Sequence, residues 1–473
     1  MTELSYTEFL NRKSQLDSRD GFEPVWMPDF LFPFQSHLVD WALRKGRAAI
    51  FADCGLGKTP MQIVWAENVV RKTNRNVLIL TPLAVSQQLV MEGQKFGIEV
   101  GLSRDGKPKG KITALNYERL HLADESDYAG LVCDESSIMK HWSGKTQAAV
   151  TRFASKMSYR LLCTATPAPN DFVELGTSSE ALGYLTHSGM LETFFRQMSD
   201  DEKKKKATKD DIIHSKRLSW RVIQSIGLWC LKAHAFEPFW KWTSSWARAC
   251  RKPSDLDPSF DDSRFVLPPL NRVDHIVTPR SPPKGYLFTI PAFGLNQERG
   301  ERRRTIPERC ELVSELVNHK ELAVIWCQLN DEADAIEKAI PDAVQVKGSQ
   351  TLEHKEELLG AFLRSEIRVL VTKAKIAGLG LNMQHCRHCV TFVDHSYEKF
   401  YQAIRRFWRF GQTQPVRLDV IATEGEINVK KNMDRKQRMA DQMFESIVAF
   451  MNDAAQIGNA IPEKEIEVPT WLR

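Results

Sequence analysis

No run of apolar residues in this chain approaches the roughly 18 needed to cross a bilayer as a helix, so a membrane-spanning reading finds no support in it. The opening MTELSYTEFLNRKSQ lacks the basic-then-apolar build of a secretion signal, which predicts a cytoplasmic protein. Neither sign of charge dominates: 65 Lys and Arg stand against 60 Asp and Glu, a net of +5. A polyanionic partner would therefore be met by local clusters rather than by the whole field of the protein. Cysteine offers no framework either. Nine residues, an odd number, are scattered from Cys54 to Cys389 and read as reduced thiols, most of them small apolar fillers. The tightest group, His385-Cys386-Arg387-His388-Cys389, has one CxxC and no second pair nearby, so packing beside a strand is a better reading than zinc.

What the chain does have is length and an ordinary globular mixture. With 473 residues, 42% hydrophobic and 26% charged, it can bury two or three cores at roughly 100–200 residues each. Two stretches share one rhythm of short β-branched runs separated by helical segments. The first holds RAAIF (47–51), NVLIL (76–80), KITAL (111–115), YAGLVC (128–133) and YRLLC (159–163). The second holds LAVIWC (322–327), AVQVK (343–347), IRVLV (367–371), CVTFV (389–393) and VRLDVI (416–421). Continuous apolar strands alternating with helices predict parallel sheets covered on both faces. The expected division is an N-terminal segment 1–24, a first α/β lobe 25–180, an insertion 181–305, a second α/β lobe 306–425, and a C-terminal helix and tail 426–473. The insertion carries five of the twelve tryptophans, from Trp220 to Trp246, after the charge run DDEKKKKATKDD (200–211). It is expected to be mostly helical, with its tryptophans packed inside and one of them, Trp229 or Trp240, a candidate for protruding.

Three stretches carry chemistry. In Ala52-Asp53-Cys54-Gly55-Leu56-Gly57-Lys58-Thr59, placed between a strand and a helix, Gly55 and Gly57 let backbone N–H groups curl around phosphate oxygens. Lys58 would reach the β and γ phosphates, and the Thr59 hydroxyl would ligate magnesium. The strand Leu131-Val132-Cys133 ends in Asp134 and Glu135. Opposite a phosphate loop, Asp134 would hold magnesium through water and Glu135 would orient the attacking water. In the stretch Gln402 to Gln412, Arg406 and Arg409 are three apart, so a helix would put both on one face. Their rigid guanidinium forks suit charge developing on a transferring phosphoryl group. A basic surface helix is the plainer alternative.

These motifs, in this order across roughly 30–425, resemble the superfamily-two DNA motors of the Swi/Snf-like group, within the DEAD/DEAH-box class. They resemble especially the compact helicases encoded by tailed bacteriophages; RKPSDL (251–256), ERGERRR (298–304) and YQAIRRFWRFGQ (401–412) add to that likeness. Phe34-Gln35 resembles the adenine-reading glutamine motif, and Thr81-Pro82 resembles motif Ia. Thr164-Ala165-Thr166-Pro167 takes the place of motif III, and Ala377 to Asn382, with Gly380, that of motif V. The resemblance implies two RecA-like lobes with ATP and Mg2+ between them. Gln35, Gly55, Leu56, Gly57, Lys58, Thr59 and Gly380 would then bind the nucleotide, with Lys58, Asp134, Glu135, Arg406 and Arg409 catalytic. Nucleic acid would cross both lobes along Thr81, Asn116, Tyr117 and Lys373. The implied partner is DNA, with phage replication or recombination proteins as candidate associates and a bacterial host cytoplasm as the setting. Three departures stand out: Ser136-Ser137 replaces the usual Gly-His, Thr164-Ala165-Thr166 the commoner Thr-Gly-Thr, and Trp408 a usual histidine. They weigh against chromatin remodelling. Two other readings stay open: a motor subunit of a restriction or nuclease machine, and an ATP-gated clamp that does not step.

Overall fold

In the computed structural model, residues 20–83, 85–199, 229–283, 285–292, 294–377 and 382–458 are described. The ten apolar runs all form strands, because each is short and mostly apolar and nine of the ten carry β-branched residues. The first sheet comprises β1 (Arg47–Ala52), β2 (Asn76–Thr81), β3 (Val100–Leu102), β4 (Ile112–Asn116), β5 (Tyr128–Asp134) and β6 (Tyr159–Cys163). After an antiparallel pair, β7 (Phe195–Gln197) and β8 (Trp229–Leu231), the chain returns to the first sheet as β9 (Ala247–Cys250). The strand order is β3-β4-β2-β5-β6-β1-β9, parallel throughout. β1, β2 and β5 are buried nearly end to end, as helices on both faces require.

The second sheet comprises β10 (Leu270–Val277), β11 (Ala323–Trp326), β12 (Ala343–Gln345), β13 (Val369–Thr372), β14 (His388–Phe392) and β15 (Val416–Thr423). Its order is β10-β15-β14-β11-β13-β12, again parallel. Two parallel α/β sheets with covering helices make two RecA-like lobes.

The described parts of 181–305 are divided between those lobes. β9 extends the first sheet beside β1, pairing Ala49 with Ala247. β10 forms the edge of the second along all eight residues of β15 that it faces, Leu270 to Val277 against Val416 to Thr423. Both escape periodicity because β9 is four residues long and β10 is a polar edge with only one face half-covered. The helix Phe236–Trp246 buries Phe239, Trp240, Trp242 and Trp246 in the first lobe's core, so Trp240 does not protrude. Trp229 is half-buried. Trp220 and the lysine run 203–206 lie outside the described residues.

The long helix Ile427–Gly458 crosses from one lobe to the other. Val429, Met433 and Ala440 pack in the second lobe's core, while Met443, Phe444 and Ile447 pack in the first's. Its heptad-like apolar face thus ties the lobes together. Among the described residues no helix is long and apolar enough to cross a membrane.

Candidate active site between the lobes

β1 delivers its last residue, Ala52, to the loop Asp53–Gly57, and the helix Lys58–Thr73 departs from it. Gly55 (φ +91°) and Gly57 (φ +72°) take left-handed conformations that side chains rarely adopt. A Cβ on Gly55 would stand 2.8 Å from the backbone of Phe410, and one on Gly57 would stand 2.3 Å from Gln35 Nε2. Glycine is thus needed at both places for backbone freedom and for close approach. Lys58 Nζ donates to the carbonyls of Ala52 (3.0 Å) and Asp53 (3.3 Å), curled inside the loop it belongs to. Burial works against its charge, but Cys54, Glu135 and Asp134 outweigh that and hold its pKa above the ordinary lysine value.

β5 places Asp134 and Glu135 beside this loop. Asp134 Oδ1 accepts from Gln62 Nε2 at 2.8 Å, and the Thr81 hydroxyl lies 3.5 Å from Oδ2. Glu135 has φ +50°, a left-handed conformation unusual for a residue with a side chain, and its carboxylate lies 3.4 Å from the Thr164 hydroxyl. Burial pushes both carboxyls above their usual values, more than the nearby Lys58 pulls them down.

The second lobe supplies the opposite wall. The expected helix through the arginines stops at Ile404. From there the chain continues in tight turns, Phe407 N to Ile404 O (3.1 Å) and Gln412 N to Arg409 O (2.9 Å). Side chains capture the carbonyls a helix would have used: Arg405 bonds Trp408 O, and Gln412 Nε2 bonds Phe407 O. The helix-face argument for Arg406 and Arg409 is therefore corrected, although both still enter the same space. A cleft of 610 Å³ between the lobes is lined by Gly57, Lys58, Thr59, Asp134, Glu135, Arg406 and Arg409, among others. Burial pushes the Arg406 guanidinium below its ordinary pKa, more than Cys54 and Glu135 hold it up.

Other expected residues take different posts. Gln35 is 4% exposed, and its amide is occupied within the protein: Oε1 accepts from Phe32 N (3.0 Å) and Nε2 donates to Leu56 O (2.9 Å). It braces the phosphate loop. Leu56 is buried beneath that loop. Thr81, Asn116 and Tyr117 are all 5% exposed or less. Thr81 and Asn116 pair in register at the strand ends, and Tyr117 donates its hydroxyl to Asp134 O at 2.7 Å. These three pack under the carboxylates and offer a passing polymer almost no surface. Lys373 is partly exposed on the second lobe, bonded to Asn330 Oδ1 at 2.6 Å. Gly380 lies outside the described residues. The metal expectation passes a chemical test at Thr59 and Asp134, whose hydroxyl and carboxylate oxygens are the hard donors Mg2+ prefers.

Sequence reasoning missed the pairs that join the lobes. Arg405 forms an ion pair with Asp53 of the phosphate loop, both almost fully buried, and Tyr401 donates its hydroxyl to the same carboxylate. Glu398 accepts from the Ser137 hydroxyl at 2.7 Å and pairs with Lys140. Both residues lay inside or beside the quoted motifs, but partners some 260 to 350 positions away leave no local signal.

A glycine-rich strand-to-helix loop and two carboxylates from one lobe thus face two arginines from the other across a single cleft. Residues 308–411 match the model of the helicase conserved C-terminal domain. The chain is 23% identical over 475 residues to YwqA of Bacillus subtilis (strain 168), named as an ATP-dependent helicase/translocase, covering 88% of this chain and 49% of that protein. Over 170 residues it is 28% identical to protein p41 of Acyrthosiphon pisum secondary endosymbiont phage 1, covering 30% of this chain and 37% of p41. The chain thus spans about half the length of the first relative and less of the second. Among solved structures, the SWI2/SNF2 ATPase core of Sulfolobus solfataricus in complex with dsDNA aligns over 92% of this chain and 97% of that one, at 16% identity and TM-score 0.39.

Proposed function

We propose that this chain hydrolyses ATP to drive movement along DNA. The observation that carries the reading is the meeting of Lys58, Thr59, Asp134 and Glu135 from one lobe with Arg406 and Arg409 from the other in a single cleft. Lys58 leaves its carbonyl partners to bind the β and γ phosphates. Thr59 and Asp134 would hold Mg2+, which would supply positive charge against the phosphates. Glu135 orients the attacking water and takes its proton, a task helped by a carboxyl pKa raised through burial. Arg406 and Arg409 stabilise charge on the departing γ-phosphoryl group, which they reach only when the lobes are together. Repeated closing and opening would then advance the polymer. Among the described residues, Lys373 is the expected polymer-binding residue that reaches the surface, and the phage setting rests on the sequence phrases and on p41. A restriction-type motor subunit remains the alternative. The test is ATP turnover without polymer and with single-stranded DNA, duplex DNA or RNA across a salt series. Strong stimulation by DNA with a steep negative salt slope is expected; equal rates with and without every polymer would refute the motor.

A further inference from the structure

The helix Tyr397–Ile404 presents Glu398 and Tyr401 toward the first lobe, with Arg405 following in the next turn. Tyr401 and Arg405 hold the phosphate loop through Asp53. Glu398 holds a different element, the one-turn 3-10 helix Ser136–Met139 that immediately follows Glu135. It grips both ends of that turn: the Ser137 hydroxyl donates to Glu398 Oε1 at 2.7 Å, and Lys140 pairs with Oε2. The turn closes on itself through Ile138 N to Glu135 O (3.1 Å) and Lys140 N to Ser137 O (3.1 Å). Glu398 and Lys140 side chains are 13% and 17% exposed, so the pair is largely shielded from water.

The gripped turn is strained where it matters. Glu135 sits at φ +50°, and such a conformation persists only when its surroundings over-determine it. Two bonds from the second lobe are part of those surroundings, and they exist only while the lobes touch. We propose that Glu398 is a positioning residue: closing the second lobe onto the first clamps the Ser136–Met139 turn and so fixes the Glu135 carboxylate for hydrolysis. The inference rests on Glu135 being the catalytic carboxylate. It names the link by which lobe closure is felt at the water-activating side of the site, separate from the arginines that act on phosphate.

The test uses the full chain with MgATP and duplex DNA. Glu398→Ala should lower kcat about 10- to 100-fold, the size of effect that a misplaced catalytic group produces. The ATP KM should rise by less than kcat falls, because Glu398 bonds Ser137 and Lys140, while Asp53 of the glycine loop is held by Arg405 and Tyr401, which stay in place. Glu398→Gln, nearly isosteric, keeps the acceptor for Ser137 and should recover most of the loss; Ser137→Ala should lose part of it. A kcat in Glu398→Ala within twofold of the unaltered protein, or a KM rise that accounts for the whole loss, would overturn the proposal. If the unaltered protein shows no turnover that depends on Lys58, the functional reading beneath it falls too.

Discussion

Removing Arg405 should loosen the two lobes from each other more than any other single change at the cleft. Its guanidinium lies in an ion pair with Asp53, in a bond to Tyr401 Oη (3.2 Å), and over the rings of Trp408 (4.6 Å) and Tyr401 (5.3 Å). Arg405 and Asp53 are 6% and 5% exposed, so water cannot take over when one of them is lost. Breaking a buried pair by deleting one partner costs about 3–5 kcal/mol, because the other charge stays buried. Here Asp53 keeps two donors, the Tyr401 hydroxyl and Cys54 N at 2.6 Å, which argues for the lower end. A cost of about 3 kcal/mol is roughly 100-fold in an equilibrium at 1.4 kcal/mol per tenfold. Each lobe has its own core, so the cost falls on docking rather than on folding. Arg405→Met should therefore raise the ATP KM by about 10- to 100-fold while leaving the melting of the separate cores nearly unchanged. Asp53→Asn should do the same. In Asp53→Asn/Arg405→Met no buried charge is stranded, so the double loss should fall well short of the sum. The assay is a double-mutant cycle in ATP KM. Losses that add to within about 0.5 kcal/mol would show that the two side chains are not coupled, and the lobe-tying role would be wrong.

Lys58→Ala should abolish ATP turnover, whereas Glu135→Gln should still bind ATP and fail to hydrolyse it; normal turnover in Glu135→Gln would remove it from the chemistry. Arg406→Ala and Arg409→Ala should reduce the rate by up to about 10³-fold with little effect on DNA affinity, and Arg406→Lys should not rescue, since an ammonium lacks the fork. Glu174 is a pH-dependent stabiliser: burial, against bonds from Asn170, pushes its pKa up to about 7. The native state thus keeps a proton that the unfolded chain gives up near its ordinary value of 4.5. Its contribution is full below about 4.5 and is lost as pH rises to about 7, by at most about 3 kcal/mol. Glu174→Gln should flatten that part of the pH dependence of the denaturant midpoint; an unchanged slope would refute it. Replacing Lys203–Lys206 with serines should leave basal ATP turnover unchanged and flatten the salt dependence of DNA binding, by roughly 0.7–0.9 in slope for each phosphate that is no longer neutralised.

The strands and the loop geometry were legible because both are local. A run such as NVLIL is a strand wherever it is covered, and Gly55-Leu56-Gly57-Lys58-Thr59 makes a strand-to-helix turn on two left-handed glycines. Asp134-Glu135 was legible for the same reason, as the end of a fully buried strand. Where the reading departed, a distant partner had decided. Gln35 is occupied by Phe32 N and Leu56 O, and Thr81, Asn116 and Tyr117 are sealed beneath β5 by packing their own neighbours could not reveal. β9 and β10 gain their strand identity from the sheets they join, since four residues or a polar edge carry too little pattern alone.

The sequence by itself determined the two α/β lobes, the glycine loop between β1 and its helix, the paired carboxylates and the arginines that could face them. Only the tertiary structure decided how the lobes meet. Arg405 and Tyr401 reach Asp53, Glu398 reaches Ser137 and Lys140, and the helix Ile427–Gly458 leaves one core to enter the other. The reason is physical. Backbone propensity and side-chain periodicity act over a few residues, whereas an ion pair between positions hundreds of residues apart exists only after both sheets have formed and shut out water around it.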